Sequence, residues 1–163
     1  MAAASETLTI TMPSDREVVM RRVFEAPREL LFDAYTKPEH LRHWLLGPEG
    51  WTMPVCEVDL RAGGAWRFVW RQADGTELEM RGEYREVTPP ERIVNTEAWG
   101  WGGDWPETLN TVELTEEDGK TTVTTTIVYV SKEARDAAVA TGMKDGASTS
   151  YDRLEDYLKS ASR

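Results

Sequence analysis

The residues of this chain best able to bind another molecule are its seven tryptophans, five of which lie between Trp66 and Trp105. Trp66, Phe68 and Trp70 alternate with smaller or charged residues. In a β-strand this period of two places the three aromatic rings on one face. Each indole ring offers a large apolar surface for stacking and one N–H donor. Such a face either fills a core or lines a ligand cavity, and the residues leave both uses open.

Further large side chains extend this aromatic set to neighbouring elements. Their positions are compatible with the same sheet face or with the helices beside it, and they suit either a filled core or a cavity for a small hydrophobic or aromatic ligand. Trp101 and Trp105 lie among glycines, in a loop that serves either as a lid or as plain exposed chain. The predicted lining residues are Trp44, Trp51, Trp66, Phe68, Trp70, Met80, Tyr84, Trp99, Met143 and Tyr151.

Charged and apolar residues alternate from Cys56 to Arg61, which predicts a strand with one charged face. Glu57, Asp59 and Arg61 are candidate polar groups of the cavity if the register turns them inward, where burial would shift their pKa values. If Val58 points inward instead, the charged side chains are solvated, and this second interpretation is favoured. A cyclase or hydrolase that used the three groups as acid and base would require the first arrangement.

Metal chemistry and nucleophilic catalysis find little support in the sequence. The two histidines, His40 and His43, lie three residues apart on a predicted short helix, without further His or Cys residues to complete a metal shell. They are interpreted as surface or packing residues, so neither a metal nor a cofactor is expected. Cys56 is the single cysteine, and no Gly-x-Ser-x-Gly elbow is present. The sequence therefore favours binding and leaves catalysis open.

Charge and length restrict the partners. The 163 residues include 19 basic and 29 acidic side chains, which gives a net charge of −10. Such a surface repels phosphate backbones and anionic headgroups, so neither nucleic acid nor a membrane is expected as a partner. No signal peptide and no apolar run of about 20 residues is evident. We therefore expect a cytoplasmic protein that is a monomer or a homodimer.

The elements that must position the candidate residues form an α+β pattern. Short turns separate most of the later strands, which predicts an antiparallel meander. Strands are predicted at Leu8–Met12, Glu17–Phe24 and residues 53–60, 65–72, 77–87, 92–99, 109–117 and 121–130, with two short helices between Pro27 and Trp44. The first two strands form either a hairpin or one interrupted strand.

Two helices are predicted at the end of the chain, over Lys132–Ala140 and from about Met143 to Ser160. The inward stripe of the second helix begins with small residues, since Gly146 and Ala147 lie in its first turns. A helix that lies across a curved sheet with small residues at one end leaves a space between the two. This spacing predicts where the cavity opens.

Four stretches carry distinctive motifs at the junctions between elements. They are RVFEAPRELLFDAYTKPEHLRHW at 22–44, VDLRAGGAW at 58–66, GEYREV with PPERI at 82–93, and GMKDG at 142–146. Together they resemble the family related to the C-terminal domain of the activator of Hsp90 ATPase, which belongs to the START-like, or Bet v 1-like, superfamily. Many relatives carry an aromatic residue where Ala147 stands here, and this difference would enlarge the cavity.

The resemblance implies a helix-grip fold, with about seven antiparallel strands curved around the long C-terminal helix and two short helices after the first strand. Residues 14–163 are expected to form one domain, and residues 1–13 an extension that could add a strand. In the superfamily, the cavity between sheet and helix often holds lipids, hormones or polyketide-like molecules. Three functions follow as expectations. They are binding of a small hydrophobic ligand, interaction of a stress protein with an Hsp90-type chaperone, and catalysis by a cavity-based cyclase or hydrolase.

Overall fold

The computed structural model describes residues 8–45, 50–100 and 107–161, with residues 99, 100 and 161 described by their backbone alone. Within these ranges the chain forms an eight-stranded antiparallel sheet and four helices. In chain order the elements are β1 Thr9–Thr11, β2 Glu17–Phe24, α1 Arg28–Thr36, α2 Pro38–Trp44, β3 Thr52–Val58, β4 Ala65–Arg71, β5 Glu77–Thr88, β6 Arg92–Gly100, β7 Thr108–Glu117, β8 Lys120–Val128, α3 Lys132–Ala140 and α4 Met143–Ala161.

The strand order across the sheet is β1-β2-β8-β7-β6-β5-β4-β3. Strands β3 to β8 form the predicted meander, and β2 pairs with β8 and so joins the beginning of the fold to its end. The α+β helix-grip fold predicted from the sequence is confirmed. The sheet has eight strands rather than seven because β1 forms an antiparallel hairpin with β2, with Thr9 opposite Arg21 and Thr11 opposite Val19.

Local sequence explains where the helices begin and end. Pro38 is at the first position of α2, where its missing N–H would have no partner within the helix. The Ser131 hydroxyl accepts a hydrogen bond from the Ala134 backbone N–H at 3.0 Å and so caps α3. Gly142 adopts a φ of +84° between α3 and α4. Glycine has no Cβ to oppose this left-handed conformation, so the chain can turn sharply there into the last helix.

The sheet holds α4 mainly along its second half. Leu154 and Leu158 are 0% and 2% exposed, whereas the first turns of α4 are half-buried or exposed. Arg22 of β2 is 2% exposed and donates a hydrogen bond from Nη1 to the Asp152 carboxylate at 2.8 Å. Its Nη2 lies 3.9 Å from a carboxylate oxygen of Glu155. Apolar burial and this charged contact therefore anchor the helix beyond its first two turns.

A glycine in β5 allows a large ring of β4 to lie close to the sheet. Gly82 is opposite Trp66 in the ladder between β4 and β5. A Cβ at Gly82 would lie 2.8 Å from Cε2 of Trp66 and 1.8 Å from the Thr96 carbonyl oxygen. Both separations are too short for real carbon contacts, so the Trp66 ring requires glycine at this position.

We predict that Gly82→Ala lowers the free energy of unfolding by about 1–3 kcal/mol, because the added methyl group must displace the indole or the neighbouring strand. Denaturant unfolding measures this change. Gly146→Ala is the matched control, since a Cβ at Gly146 meets no atom within 4 Å. Within helix α4 the control should raise stability by about 0.5–1 kcal/mol. Equal midpoints for the Gly82→Ala variant and the parent protein would contradict the close contact.

Candidate ligand cavity

A cavity of about 490 Å³ lies between the inner face of the sheet, α1 and α2, and the first half of α4. The cavity lies beside the first turns of α4 because the helix is anchored to the sheet only beyond those turns. The lining residues are Met20, Tyr35, Leu41, Trp44, Leu45, Trp51, Trp66, Phe68, Trp70, Leu78, Met80, Tyr84, Ile93, Asn95, Glu97, Val112, Thr125, Ile127, Met143, Gly146, Ala147, Ser150 and Tyr151.

Strand β4 supplies an aromatic wall. Trp66, Phe68 and Trp70 are buried on the same strand face. The ring centroids of Trp66 and Phe68 are 4.9 Å apart, and those of Phe68 and Trp70 are 6.0 Å apart with nearly perpendicular planes. These separations are typical of favourable aromatic pairs. The three rings therefore support one another and present a stiff apolar surface to the cavity.

The two outer indoles of this wall differ in their polar contacts. Trp70 donates its Nε1–H to the backbone carbonyl of Leu45 at 2.5 Å, which ties β4 to the end of α2. The Nε1–H of Trp66 is buried and has no hydrogen-bond partner among the described residues. An N–H without a partner is costly to bury. Trp66 therefore offers one donor to a molecule that enters the cavity.

The short helices form the opposite wall. Trp44 donates its Nε1–H to the Ala34 carbonyl at 2.9 Å, which fixes α2 against α1. Its ring is 5.0 Å from the Tyr35 ring and 6.3 Å from the Tyr151 ring, measured between centroids. Tyr151 is on α4, so this aromatic group joins three helices. The wall is held by packing as well as by a hydrogen bond.

The first turns of α4 contribute small side chains. Met143, Gly146, Ala147 and Ser150 line the cavity, and open space lies beside Gly146. A bulky residue at Gly146 or Ala147 would extend into that space. The small-residue end of the helix that was noted in the sequence therefore coincides with the cavity.

Polar groups also reach the lining, and sequence reasoning missed the most important of them. Glu97 of β6 accepts a hydrogen bond at Oε1 from the Asn110 side-chain amide at 2.8 Å, and Asn110 Oδ1 accepts one from the Thr108 hydroxyl at 2.9 Å. Asn95 is two residues before Glu97 and lines the same cavity. The alternation from Ile93 through Asn95 to Glu97 was the available signal, because side chains two apart share a strand face.

Burial changes the acidity of the tyrosines around the cavity. Burial raises the pKa of Tyr129 to about 12, and the neighbouring Glu97 carboxylate adds to the shift. Burial likewise raises the pKa of Tyr84, with Cys56 as a secondary cause. The pKa of Tyr35 is raised by burial first and then by its neighbour Tyr151. All three phenols therefore keep their protons further into the alkaline range than an ordinary tyrosine does.

Most of the lining residues predicted from the sequence border this cavity. Trp99 pairs with Met80 through the backbone of β6 and β5, and its side chain lies outside the described residues. Trp101 and Trp105, the two candidates for a lid, also lie outside the described residues. The predicted residues that line the cavity are Trp44, Trp51, Trp66, Phe68, Trp70, Met80, Tyr84, Met143 and Tyr151.

The three charged groups considered for the cavity interior lie elsewhere. Glu57 is exposed and opposite Arg67, because the β3–β4 register pairs Cys56 with Phe68 on the inner face. Glu57 borders a separate groove of about 390 Å³ on the outer face of the sheet. Asp59 and Arg61 form an exposed ion pair with each other at 3.0 Å. These groups therefore cannot act as acid and base on a molecule inside the cavity.

The residues considered for metal and nucleophile chemistry pack against their neighbours. His43 stacks on Tyr157 with ring centroids 4.7 Å apart, and His40 Nδ1 hydrogen bonds to the Tyr157 hydroxyl. Both contacts join α2 to α4. Cys56 is buried in the core, where burial raises the pKa of its thiol. Within the part of the chain that the structure describes, no group of three His, Cys, Asp or Glu side chains could hold a metal ion.

Comparison with known proteins agrees with this architecture. The model of the family described as "Activator of Hsp90 ATPase homolog 1-like protein" matches residues 25–159. The chain belongs to this family. A crystal structure of a protein from Rhodobacter sphaeroides is 31% identical, with a TM-score of 0.89 over 94% of this chain and 98% of that one. No match is found among curated proteins.

More distant solved structures share the fold of this family member. A protein from Mycobacterium smegmatis is 24% identical, with a TM-score of 0.81 over 93% of this chain and 97% of the other. An AHSA1-like protein from Aeromonas hydrophila is 19% identical, with a TM-score of 0.70 over 86% and 93% of the two chains. Among the described residues, no helix has the length and apolar character needed to cross a membrane.

We predict that stability falls as the pH rises above the ordinary tyrosine pKa of 10.0 towards about 12. In this range the unfolded chain loses the Tyr129 proton while the folded chain retains it, so alkali favours unfolding. Denaturant unfolding at a pH of about 9 and of about 11 measures the decline. Tyr129→Phe should make the decline smaller. Ionisation of all five tyrosines near pH 10 in the folded protein, seen by ultraviolet absorbance, would contradict this assignment.

Proposed function

We propose that this protein binds a small apolar or aromatic molecule in the cavity between the sheet and α4. The observation that carries the proposal is a space of about 490 Å³ bordered by aromatic rings from α1, α2, β4, β5 and α4 and by Trp51, which precedes β3. Pockets that bury most of a small ligand are of this size, and their walls are mainly apolar with a few polar groups. Membership of a family whose fold commonly holds ligands in such a cavity supports the same function.

The free energy available from this cavity is sufficient for binding. Removal of apolar surface from water stabilises a complex by roughly 25 cal/mol per Å². A ligand that buries about 200 Å² of apolar surface therefore gains about 5 kcal/mol before the costs of association. The rings of β4 are already held by their mutual contacts and by the Trp70 hydrogen bond, so little ordering is required when a ligand enters.

We expect the neutral fluorescent probe N-phenylnaphthylamine to bind in this cavity. A probe within the cavity lies beside several indoles, so it should quench tryptophan emission while its own emission rises. Titration followed by fluorescence should show saturation at one probe per protein. Absence of a saturable signal with this probe and with a broad library of apolar compounds would contradict the proposed function.

A cavity-filling variant tests the location of binding. Ala147→Phe should weaken the affinity for N-phenylnaphthylamine by about tenfold, because a phenyl ring that occupies about 50 Å² of contact surface removes about 1.3 kcal/mol. Thr149→Phe is the matched control, since Thr149 is exposed on the same helix. The control should retain the parent affinity. Equal affinities for the two variants would place the binding site elsewhere.

A role at an Hsp90-type chaperone is the second candidate. The observation in its favour is the description of the matching family, which refers to the activator of that chaperone's ATPase. The cognate chaperone's ATPase rate, measured with and without this protein, tests the role directly. A change in that rate that survives in Ala147→Phe would support a chaperone function independent of the cavity.

A further inference from the structure

The charge of the cavity lining restricts the ligand more sharply than its apolar walls do. Among the described lining residues, Glu97 contributes the single carboxylate, and none is Lys, Arg or His. The other polar side chains of the described lining are amide, hydroxyl, phenol and indole groups, which carry no charge at neutral pH. The described lining thus contains a single acidic side chain and no basic one.

The Glu97 carboxylate is held in a defined orientation. Asn110 is buried and donates its side-chain amide to Glu97 Oε1 at 2.8 Å, while the Thr108 hydroxyl fixes the amide oxygen of Asn110. An amide N–H is a favourable hydrogen-bond partner for a carboxylate. The carboxylate is also close enough to Tyr129 to affect the ionisation of that phenol. Side chains of the neighbouring strand β7 therefore hold the Glu97 carboxylate in place.

Aromatic surface adjoins this carboxylate. The ladder that pairs Arg81 with Ala98 and Tyr84 with Asn95 sets Gly82 beside Glu97, and Gly82 is in turn opposite Trp66. Because Gly82 has no side chain, the Trp66 ring lies over this position towards β6. Trp66 and Glu97 therefore approach the same glycine of β5 from the two neighbouring strands, and an indole ring attracts positive charge through its π electrons.

We infer that the ligand is a small organic cation, a protonated amine on an aromatic or aliphatic body, whose charged end lies beside Glu97 and whose body lies along the β4 rings. This inference deepens the proposed function and rests on it. A fatty acid or another carboxylate of the same size would bring a second negative charge into a partly desolvated site, and like charges repel strongly there. The cavity therefore discriminates against anionic ligands.

Three probes with one aromatic body and different charges test the inference. They are naphthylmethylamine, which is a cation at neutral pH, naphthylmethanol, which is neutral, and naphthoate, which is an anion. Calorimetric titration of the intact protein should show that the amine binds at least about tenfold more tightly than the alcohol, as expected for a hydrogen bond to a charged group. Naphthoate should bind most weakly.

A charge-removing variant assigns the preference to one residue. Glu97→Gln retains the size of the side chain and should reduce the affinity for the amine to that for the alcohol, while the affinity for the alcohol changes less than about twofold. Glu57→Gln is the matched control, because it removes the same charge from the outer face of the sheet. The control should keep the full preference, which separates Glu97 from the effect of the net charge of −10.

The outcomes separate this inference from the function on which it rests. If the three probes bind the parent protein equally well, the cavity binds ligands but the cation preference is overturned. If N-phenylnaphthylamine binds and the amine is the weakest of the three probes, the inference is likewise overturned. If no apolar probe binds at all, both the function and the inference fail. The comparison among probes uses the parent protein, so it stands even if Glu97→Gln folds poorly.

Discussion

The unequal contact of α4 with the sheet is the constraint on which the rest of this structure depends. Its second half is anchored by Leu154 and Leu158, which are fully buried, and by the contact of Arg22 with Asp152. Its first half presents the small residues Gly146 and Ala147 to the cavity. One rigid helix is therefore held firmly at one end and stands away from the sheet at the other. This arrangement leaves a space between the sheet and the first half of α4, which no other core side chain among the described residues fills.

The walls of that space are stabilised independently of any occupant. Trp66, Phe68 and Trp70 contact one another along β4, and Trp44 is fixed to α1 through the Ala34 carbonyl. These contacts resist collapse of the rings into the gap, since each large ring is already packed against a neighbour. A preformed cavity loses less conformational entropy when a ligand enters, which favours binding. The contacts that stabilise the cavity walls are thus formed within the protein and do not require a bound ligand.

Much of the fold was accessible from sequence because its signals are local. The alternation in β4 predicted one aromatic face, and Gly142 marked the break before α4. Family motifs at the junctions then specified how the elements assemble. The pairing of the first strand was less accessible, although its residues were predicted to be extended, because only the structure shows that β1 forms a hairpin with β2. Such a short segment carries too little periodicity to predict its own pairing.

The two carboxylates Glu57 and Glu97 show which property of a strand can be predicted from its sequence and which depends on the tertiary structure. Each lies in a strand whose alternation defines two faces, and this alternation is a property of the chain alone. Which face turns inward depends on the neighbouring strands. The register of β3 with β4 sends Glu57 outward beside Arg67, whereas the register of β6 with β5 and β7 turns Glu97 inward next to Asn110. The alternation of side chains follows from the sequence of the strand itself. Which face points into the core depends on pairing with strands that are distant in the chain, because a register shift of one residue moves every side chain to the opposite face.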